Sequence, residues 1–394
     1  MSKIVLSLGM GVDSVAVLTR LLLEPETRWF DLSDLIVTTA MTGDEFQATA
    51  DHMQQFALPL MRRYNVRYVQ LSRGGQYTAS RYAVLSDSTQ TERMHMTGPW
   101  SLAAYQLQIG SVPQFAHGKR DCSRKAKGEP QDWWKEDELG GEPYEHLMGF
   151  SAEEGRRMLR DATYGSGGRR ARYPLAEWSW TRSEALGYLH EVFGTQWPRS
   201  CCVYCPFAHS DPEYLAERWR SEPEGAALAL VMERRSVTLN PRSTLFRSQS
   251  ARSFAEEHHL DAAIALSDAM LQDGDWALYD VKRIYHAKVD KATKLPDPSR
   301  KGIAWRSVDT LATGSRDKMV RELHQFARTC KVDVQPDEHG TLRAELMPCN
   351  LKATVYPATE RFVAIGPAGV QDKKLKSFAG AWSQLVDQTT LFAA

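Results

Sequence analysis

Cys201, Cys202 and Cys205 fall within five residues, in the run Ser200-Cys201-Cys202-Val203-Tyr204-Cys205-Pro206-Phe207. Cys202 and Cys205 form a C-x-x-C pair, a spacing that lets two thiolates hold one metal or cluster. In a 394-residue chain with six cysteines this clustering suits a metal or redox site better than a disulfide framework. Cys330 and Cys349 stand alone and read as small buried hydrophobes. A second stretch with chemical potential is Leu6-Ser7-Leu8-Gly9-Met10-Gly11-Val12-Asp13-Ser14. Gly9 and Gly11 let the backbone turn sharply and approach an anion, and the N–H groups opening the next helix favour phosphate. Ser7 and Ser14 add hydroxyl donors, and Asp13 can position a metal ion or the loop. No Gly-Lys-Ser/Thr follows, so the loop is not Walker A, and a dinucleotide fingerprint would need a third glycine. A bare connecting turn is the alternative. The Asp-Ser pair directly after a strand favours a ligand site.

The elements that must position these residues follow from periodicity. Lys3–Leu6, Leu35–Thr39 and Arg67–Leu71 read as strands, alternating with helices over Ser14–Leu23 and Glu45–Tyr64, the latter kinked or broken at Pro59. This β-α-β-α-β order predicts an α/β fold with a twisted parallel sheet, helices on both faces and ligands beyond the strands' carboxyl ends. Asp87–Gly98 reads as a surface loop, Glu145–Phe150 as a strand, and Thr181–Phe193 as a helix with Thr181 near its start. Gly165-Ser166-Gly167-Gly168, followed by Arg169, Arg170 and Arg172, reads as a basic loop that is mobile without a ligand. From Asp211 to Asp273 the pattern is mostly helical. Arg316–Thr329 and Ser377–Val386 read as helices, and Thr341–Leu346, Lys352–Tyr356 and Phe362–Ile365 as short strands. The expected division is 1–210 for nucleotide and cysteines, 211–300 as a mainly helical extension, and 301–394 as a small α+β unit.

The Ser-x-Gly-x-Gly-Val-Asp-Ser loop resembles the pyrophosphatase (PP) loop of the adenine nucleotide α-hydrolase superfamily, and within it the phosphoadenosine phosphosulfate (PAPS) reductase-like branch. Gly9 stands where the superfamily has its first serine, and Met10 where it has its first glycine. Ala40-Met41-Thr42-Gly43-Asp44-Glu45 is similar to the family's Ala-Asp-Thr-Gly-x-Glu, with Met41 in the aspartate position. Independently of the family, Asp44 and Glu45 also read as an acidic first helical turn. Cys122-Ser123 with Lys127 and Pro130 resembles the family's Cys-Ser/Thr-x-x-x-Lys-x-x-Pro, and the later cysteine run its Ser-x-Cys-x-x-Cys-Pro-Phe. Gly149-Phe150-Ser151 with Glu154 and Arg157, Pro174-Leu175, Trp178 and Trp180-Thr181 fall between them in the family's order, so the likeness covers residues 3–210.

The resemblance implies an adenine nucleotide α-hydrolase-like, Rossmann-like fold that binds ATP with Mg²⁺. Asp13, Ser14 and Lys127 would be catalytic, and Ser7, Gly9, Gly11, Ala40, Thr42, Gly43 and Arg157 would help hold the nucleotide. Cys122, Cys201, Cys202 and Cys205 would carry an iron–sulfur cluster of the [4Fe–4S] kind. If Cys201 is only the motif's variable residue, three ligands remain and one iron is open. Structural zinc is the alternative metal, and a redox pair lacks a thioredoxin-like context. The basic residues Lys119, Arg120, Arg124, Lys125, Lys127, Arg156, Arg157, Arg160, Arg169, Arg170 and Arg172 could hold phosphates or nucleic acid, or be solvated loop charge. Trp133, Trp134, Trp178 and Trp180 could stack bases but fit a core better.

Composition sets outer bounds. Lys+Arg and Asp+Glu are both 49, which excludes a histone-like polycation but not a local basic patch. No apolar run approaches membrane-spanning length and the start lacks a signal peptide's layout, so a cytoplasmic protein without a membrane partner is expected. The leading reading is an ATP-cleaving, adenylating enzyme that activates a nucleic acid or nucleoside for sulfur incorporation, with a sulfur-donor protein such as a cysteine desulfurase as partner. PAPS or adenylylsulfate reduction is disfavoured because the family's C-terminal Glu-Cys-Gly-(Ile/Leu)-His segment has no counterpart in Gln388-Thr-Thr-Leu-Phe-Ala-Ala394. A nucleotide-binding component of a phage-defence or DNA-modification system is the third reading.

Overall fold

The computed structural model describes residues 2–113, 120–164, 168–351 and 354–392. It divides into two compact units, Met1–Tyr105 with Pro113–Gly225, and Gln106–Val112 with Ala226–Ala394.

The first unit is α/β. Its sheet has six strands: β1 (Lys3–Ser7), β2 (Leu35–Met41), β3 (Arg67–Arg73), β4 (Tyr82–Ser88), β5 (Tyr144–Met148) and β6 (Arg169–Arg172). They lie in the order β4-β3-β2-β1-β5-β6. All neighbours are parallel except β3 and β4. The expected parallel core is present, and β4 is an antiparallel edge that takes Asp87 and Ser88 out of the expected loop. Its seven residues Tyr-Ala-Val-Leu-Ser-Asp-Ser are half-buried to exposed, so they lack the apolar run that marks an inner strand.

Every residue of β2 is buried, and alternate side chains go to opposite faces. Leu35, Val37 and Met41 pack with helix α1 (Val12–Leu23), whereas Ile36 and Ala40 join Val69, Leu71 and Trp134 of helix α2 (Glu129–Leu139). Helix α3 (Arg182–Phe193) starts at Thr181 through a capping box with Glu184 and packs on α1. The helical stretch expected over Glu45–Tyr64 begins at Gln47 and is not broken by Pro59. The wide turns of Met53–Ala57 just before it absorb the missing N–H. In the expected mobile loop Gly165, Ser166 and Gly167 lie outside the described residues, as does Lys119.

The second unit is built on a five-stranded antiparallel sheet. Its strands are β7 (Trp276–Val289), β8 (Pro296–Gly314), β9 (Val334–Pro336), β10 (Leu342–Met347) and β11 (Ala358–Pro367), ordered β8-β7-β11-β10-β9. One face packs Trp276, Leu278, Val363 and Ile365 against Met319, Leu323 and Ala327 of helix α5 (Arg316–Cys330). The other packs Ala277, Tyr279, Val281 and Phe362 with Leu239, the last residue of helix α4 (Pro223–Leu239).

Helices do fill 211–273, but β7 then ends the expected helical extension. Its pairing with β8 joins 226–300 to 301–394 in one unit, and 211–225 belongs to the first. Of the strand expected over Lys352–Tyr356, residues 352 and 353 lie outside the described residues and 354–356 are not a strand. Pro357 lacks an N–H for the ladder, and β11 starts after it. Cys330 is exposed rather than buried, because it ends α5 past the apolar stripe Met319-Leu323-Ala327; Cys349 is half-buried. No described helix is long and apolar enough to cross a membrane.

Candidate functional site

A cleft of about 940 Å³ opens at the carboxyl ends of β1 and β5. The parallel strand order reverses there, which is where open α/β sheets bind ligands. Ser7, Gly9, Gly11, Asp13, Ser14, Ala40, Lys127, Arg157, Cys201 and Cys205 line it. Thr42, Gly43, Cys122 and Cys202 do not line it.

The first loop is held in shape from within. Ser14 Oγ accepts from Gly9 N–H (3.0 Å) and donates to the Gly11 carbonyl (3.2 Å). Met10 takes the left-handed φ of 61° that glycine adopts freely. Complete burial of its side chain and a bond from Trp197 Nε1 to its carbonyl (2.9 Å) hold it there. Gly149, leaving β5, passes so close that a Cβ would sit 2.7 Å from the Ser14 backbone nitrogen. Asp13 pairs with Arg182 at 2.9 Å through Oδ2. Burial raises its carboxyl above the ordinary range, with Arg182 opposing, and the buried Oδ1 has no hydrogen-bond partner. An orphaned carboxylate oxygen on the cleft wall fits a Mg²⁺ ligand.

Beneath the loop runs a hydrogen-bond chain with fixed polarity. Arg169 Nε can only donate, and it donates to His146 Nδ1 (2.7 Å). His146 Nε2 therefore carries the ring's proton and donates to Ser7 Oγ (2.7 Å), which donates to Gln131 Oε1 (2.8 Å). Gln131 Nε2 ends the chain on the Lys127 carbonyl (3.3 Å), which can only accept and so fixes the amide's orientation. Thr38 Oγ1 donates to the same Gln131 oxygen (2.9 Å). His146 is held neutral, its pKa well below the usual value through burial, with Lys135 and Arg169 adding to the effect. Ser7 was expected to donate to phosphate; its proton is engaged with Gln131, so it faces the cleft as an acceptor.

The cysteine segment is fastened to both earlier loops. Ser200 Oγ donates to the Gly9 carbonyl (2.7 Å), and Val203 N–H to the Asp44 carbonyl (2.9 Å). Tyr204 donates to Asp44 Oδ2 (2.6 Å), and Thr42 Oγ1 lies 3.1 Å from Cys202 Sγ. Gly43 has φ 95°, and a Cβ there would lie 2.6 Å from that of Ser101. Asp44 and Glu45 precede the helix at Gln47 rather than forming its first turn: Asp44 is an anchor, and Glu45 pairs with Lys127 at 3.2 Å. Burial pulls the Lys127 ammonium down, but Glu45 and Cys202 outweigh it and leave its pKa raised.

Among the other basic residues, Arg169 pairs with Asp161, Arg170 and Arg172 with Glu145, and Arg124 with Asp121 and Glu129. Arg157 pairs with Glu154 and lies over the Phe150 ring at 4.4 Å. Trp178 and Trp180 flank the Arg20 guanidinium at 4.5 and 4.3 Å and pack on the core, and Trp134 is buried, so these three support the fold.

Cys205 lies within electrostatic reach of Cys122, Cys201 and Cys202. Burial raises all four thiols, Cys201 to about 12 and Cys202 well above its ordinary value. Four soft donors from two segments fit a thiophilic metal or cluster in chemical type. Among the described residues no three His, Cys, Asp or Glu side chains are near enough together to ligate one ion. Arg182, Gln131 and His146 belong to the site and are not among the residues singled out from the sequence, whereas Arg169 is there as one of the basic residues. The one signal in sequence was a histidine inside the otherwise strand-like Tyr144-Glu145-His146-Leu147-Met148. Comparison with family models, curated proteins and solved structures gives no match to this chain.

Proposed function

We propose that the chain is an ATP-dependent adenylating enzyme of the adenine nucleotide α-hydrolase type, which activates an oxygen of a nucleic acid or nucleoside for replacement by sulfur. The carrying observation is that the phosphate-type loop and the cysteine loop are bonded to each other, through Ser200 and Gly9, and line one cleft. The parallel order β3-β2-β1-β5-β6, with the cleft at its reversal, supports the same reading.

In the reaction an acceptor oxygen attacks the α-phosphorus of ATP, the bond to the β-phosphate bridging oxygen breaks, and pyrophosphate leaves with that electron pair. The acceptor's proton passes to solvent or a cleft base. Backbone N–H groups at the start of α1 face the developing charge. Asp13 would hold Mg²⁺, Lys127 adds positive charge, and Arg157 and Ala40 border the nucleotide. A sulfur nucleophile then displaces AMP, forming carbon–sulfur and breaking carbon–oxygen. Cys122, Cys201, Cys202 and Cys205 are the thiols that would hold a metal if drawn closer together than they stand here; an iron–sulfur cluster would then supply sulfide or electrons, and zinc would supply structure. The test is ATP–pyrophosphate exchange by the purified chain with candidate acceptors. AMP and pyrophosphate are the expected products; ADP and phosphate would overturn the reading.

A further inference from the structure

The long β7–β8 hairpin belongs to the second unit and takes no part in the cleft. β11 pairs with β7 only from Trp276 to Tyr285, so beyond Tyr285 the hairpin continues as a two-stranded ribbon. Its charge departs from that of the chain. Residues 286–303 contain five Lys or Arg against two acids, whereas the whole sequence is balanced at 49 and 49. Lys288, Lys291, Lys294, Arg300 and Lys301 are all exposed, and none forms an ion pair among the described residues. The two acids are engaged in the turn backbone: Asp290 accepts from Ala292 and Thr293 N–H, and Asp297 from Ser299 N–H.

Lysines on an edge strand can serve only to prevent edge-to-edge pairing. That role does not account for the apolar side chains set among them. Val289, Leu295, Ile303 and Trp305 are 55, 66, 56 and 40% exposed, an unfavourable placement unless something covers them. Basic side chains that meet phosphates, with apolar side chains between them that meet base edges, are the pattern of a nucleic-acid contact. A two-stranded ribbon fits the major groove of B-form DNA, while the deep, narrow groove of A-form RNA excludes it.

We infer that the β7–β8 ribbon is a docking element for duplex DNA, with Lys288, Lys291, Lys294 and Arg300 on the phosphates, Ile303 toward the groove and Trp305 at the ribbon's base beside the sheet. This surface is independent of the nucleotide reading of the cleft.

Fluorescence anisotropy of the full chain with a labelled 20-base-pair DNA duplex, across a salt series, tests it. The wild type should bind with an affinity that falls steeply with salt. The variant Lys288→Glu/Lys291→Glu/Lys294→Glu should lose at least about tenfold in affinity and about three from the salt slope, since each phosphate contact contributes about 0.9. A control on α5, Lys318→Glu/Arg321→Glu/Arg328→Glu, changes the same net charge at exposed positions and should lose less than about threefold. Ile303→Ala should weaken duplex binding without changing the slope. Equal losses in the two triple variants, absence of duplex binding by the wild type, or ribbon-dependent binding to phosphatidylserine vesicles but not to DNA would overturn the inference. Unchanged thermal unfolding of the ribbon variant separates lost contact from lost fold. Acceptor-independent ATP cleavage, if present, should be the same in both variants, so failure here leaves the cleft assignment standing.

Discussion

The cleft and the ribbon handle charge in opposite ways. Around the cleft, Asp13, Arg169, Glu45 and Lys127 have named partners, and a one-way hydrogen-bond chain fixes even the tautomer of His146. On the ribbon, five cationic side chains are exposed without ion pairs among the described residues, Lys301 lying over the Tyr285 ring. Buried polar groups are costly unless satisfied, so a region that accepts that cost gains fixed geometry, as bond-making chemistry requires. Exposed charges gain range instead and suit an extended polyanion.

Substitutions can break this contrast, and the largest effect falls at Asp13. Asp13→Ala should abolish ATP-dependent pyrophosphate release, by more than about 100-fold on the scale of lost transition-state electrostatics, while bound metal stays unchanged. Turnover at the wild-type rate would remove Asp13 from the machinery. Cys122→Ala and Cys202→Ala should each lose the bound metal, measured as iron, sulfide and zinc per chain, and Cys330→Ala should keep it. Equal metal content in all three would refute the ligand set.

Gly149→Ala comes next. Its Cβ would meet backbone rather than a flexible side chain, so α1 must shift. A loss of about 1–3 kcal/mol in stability, the scale of overpacking, together with weaker nucleotide binding, is expected in denaturant melts and titrations.

The smallest expected effect concerns His146. Its folded pKa lies below the ordinary 6.5, so the unfolded chain binds the proton that the folded chain refuses. This contribution to stability is therefore present above about pH 6.5 and is lost as the pH falls below it. His146→Gln should flatten the thermal stability profile between pH 5 and 7. A profile identical to that of the wild type would mean that the histidine is not held neutral.

The inner strands were legible in sequence because parallel strands buried on both faces leave continuous apolar runs, as in Leu35-Ile-Val-Thr-Thr-Ala-Met41. Thr181 was legible as a helix start because its cap is local. Strand β4 and the hairpin were not: β4 is half-buried, and Trp276–Val289 mixes Lys, Arg and His into a run with no clean alternation. Short motifs identified Gly9, Asp13, Lys127 and the cysteines as a set; Gly9, Asp13, Lys127, Cys201 and Cys205 line one cleft, whereas Cys122 and Cys202 do not. Gln131, His146 and Arg182 escaped because each matters through a partner 124 to 169 residues away, a relation that no local pattern carries. The reversed role of Ser7 was likewise invisible, since the direction of its proton is set by Arg169 and the Lys127 carbonyl.

The most direct test of the central claim is to follow ATP labelled in the α-phosphate with the chain purified without oxygen, in the presence of Mg²⁺ and a nucleic-acid acceptor. The account predicts AMP transferred to acceptor or released with pyrophosphate, and its loss in Asp13→Ala. ADP and phosphate as the products, or no cleavage with any acceptor while ATP still binds, would contradict it.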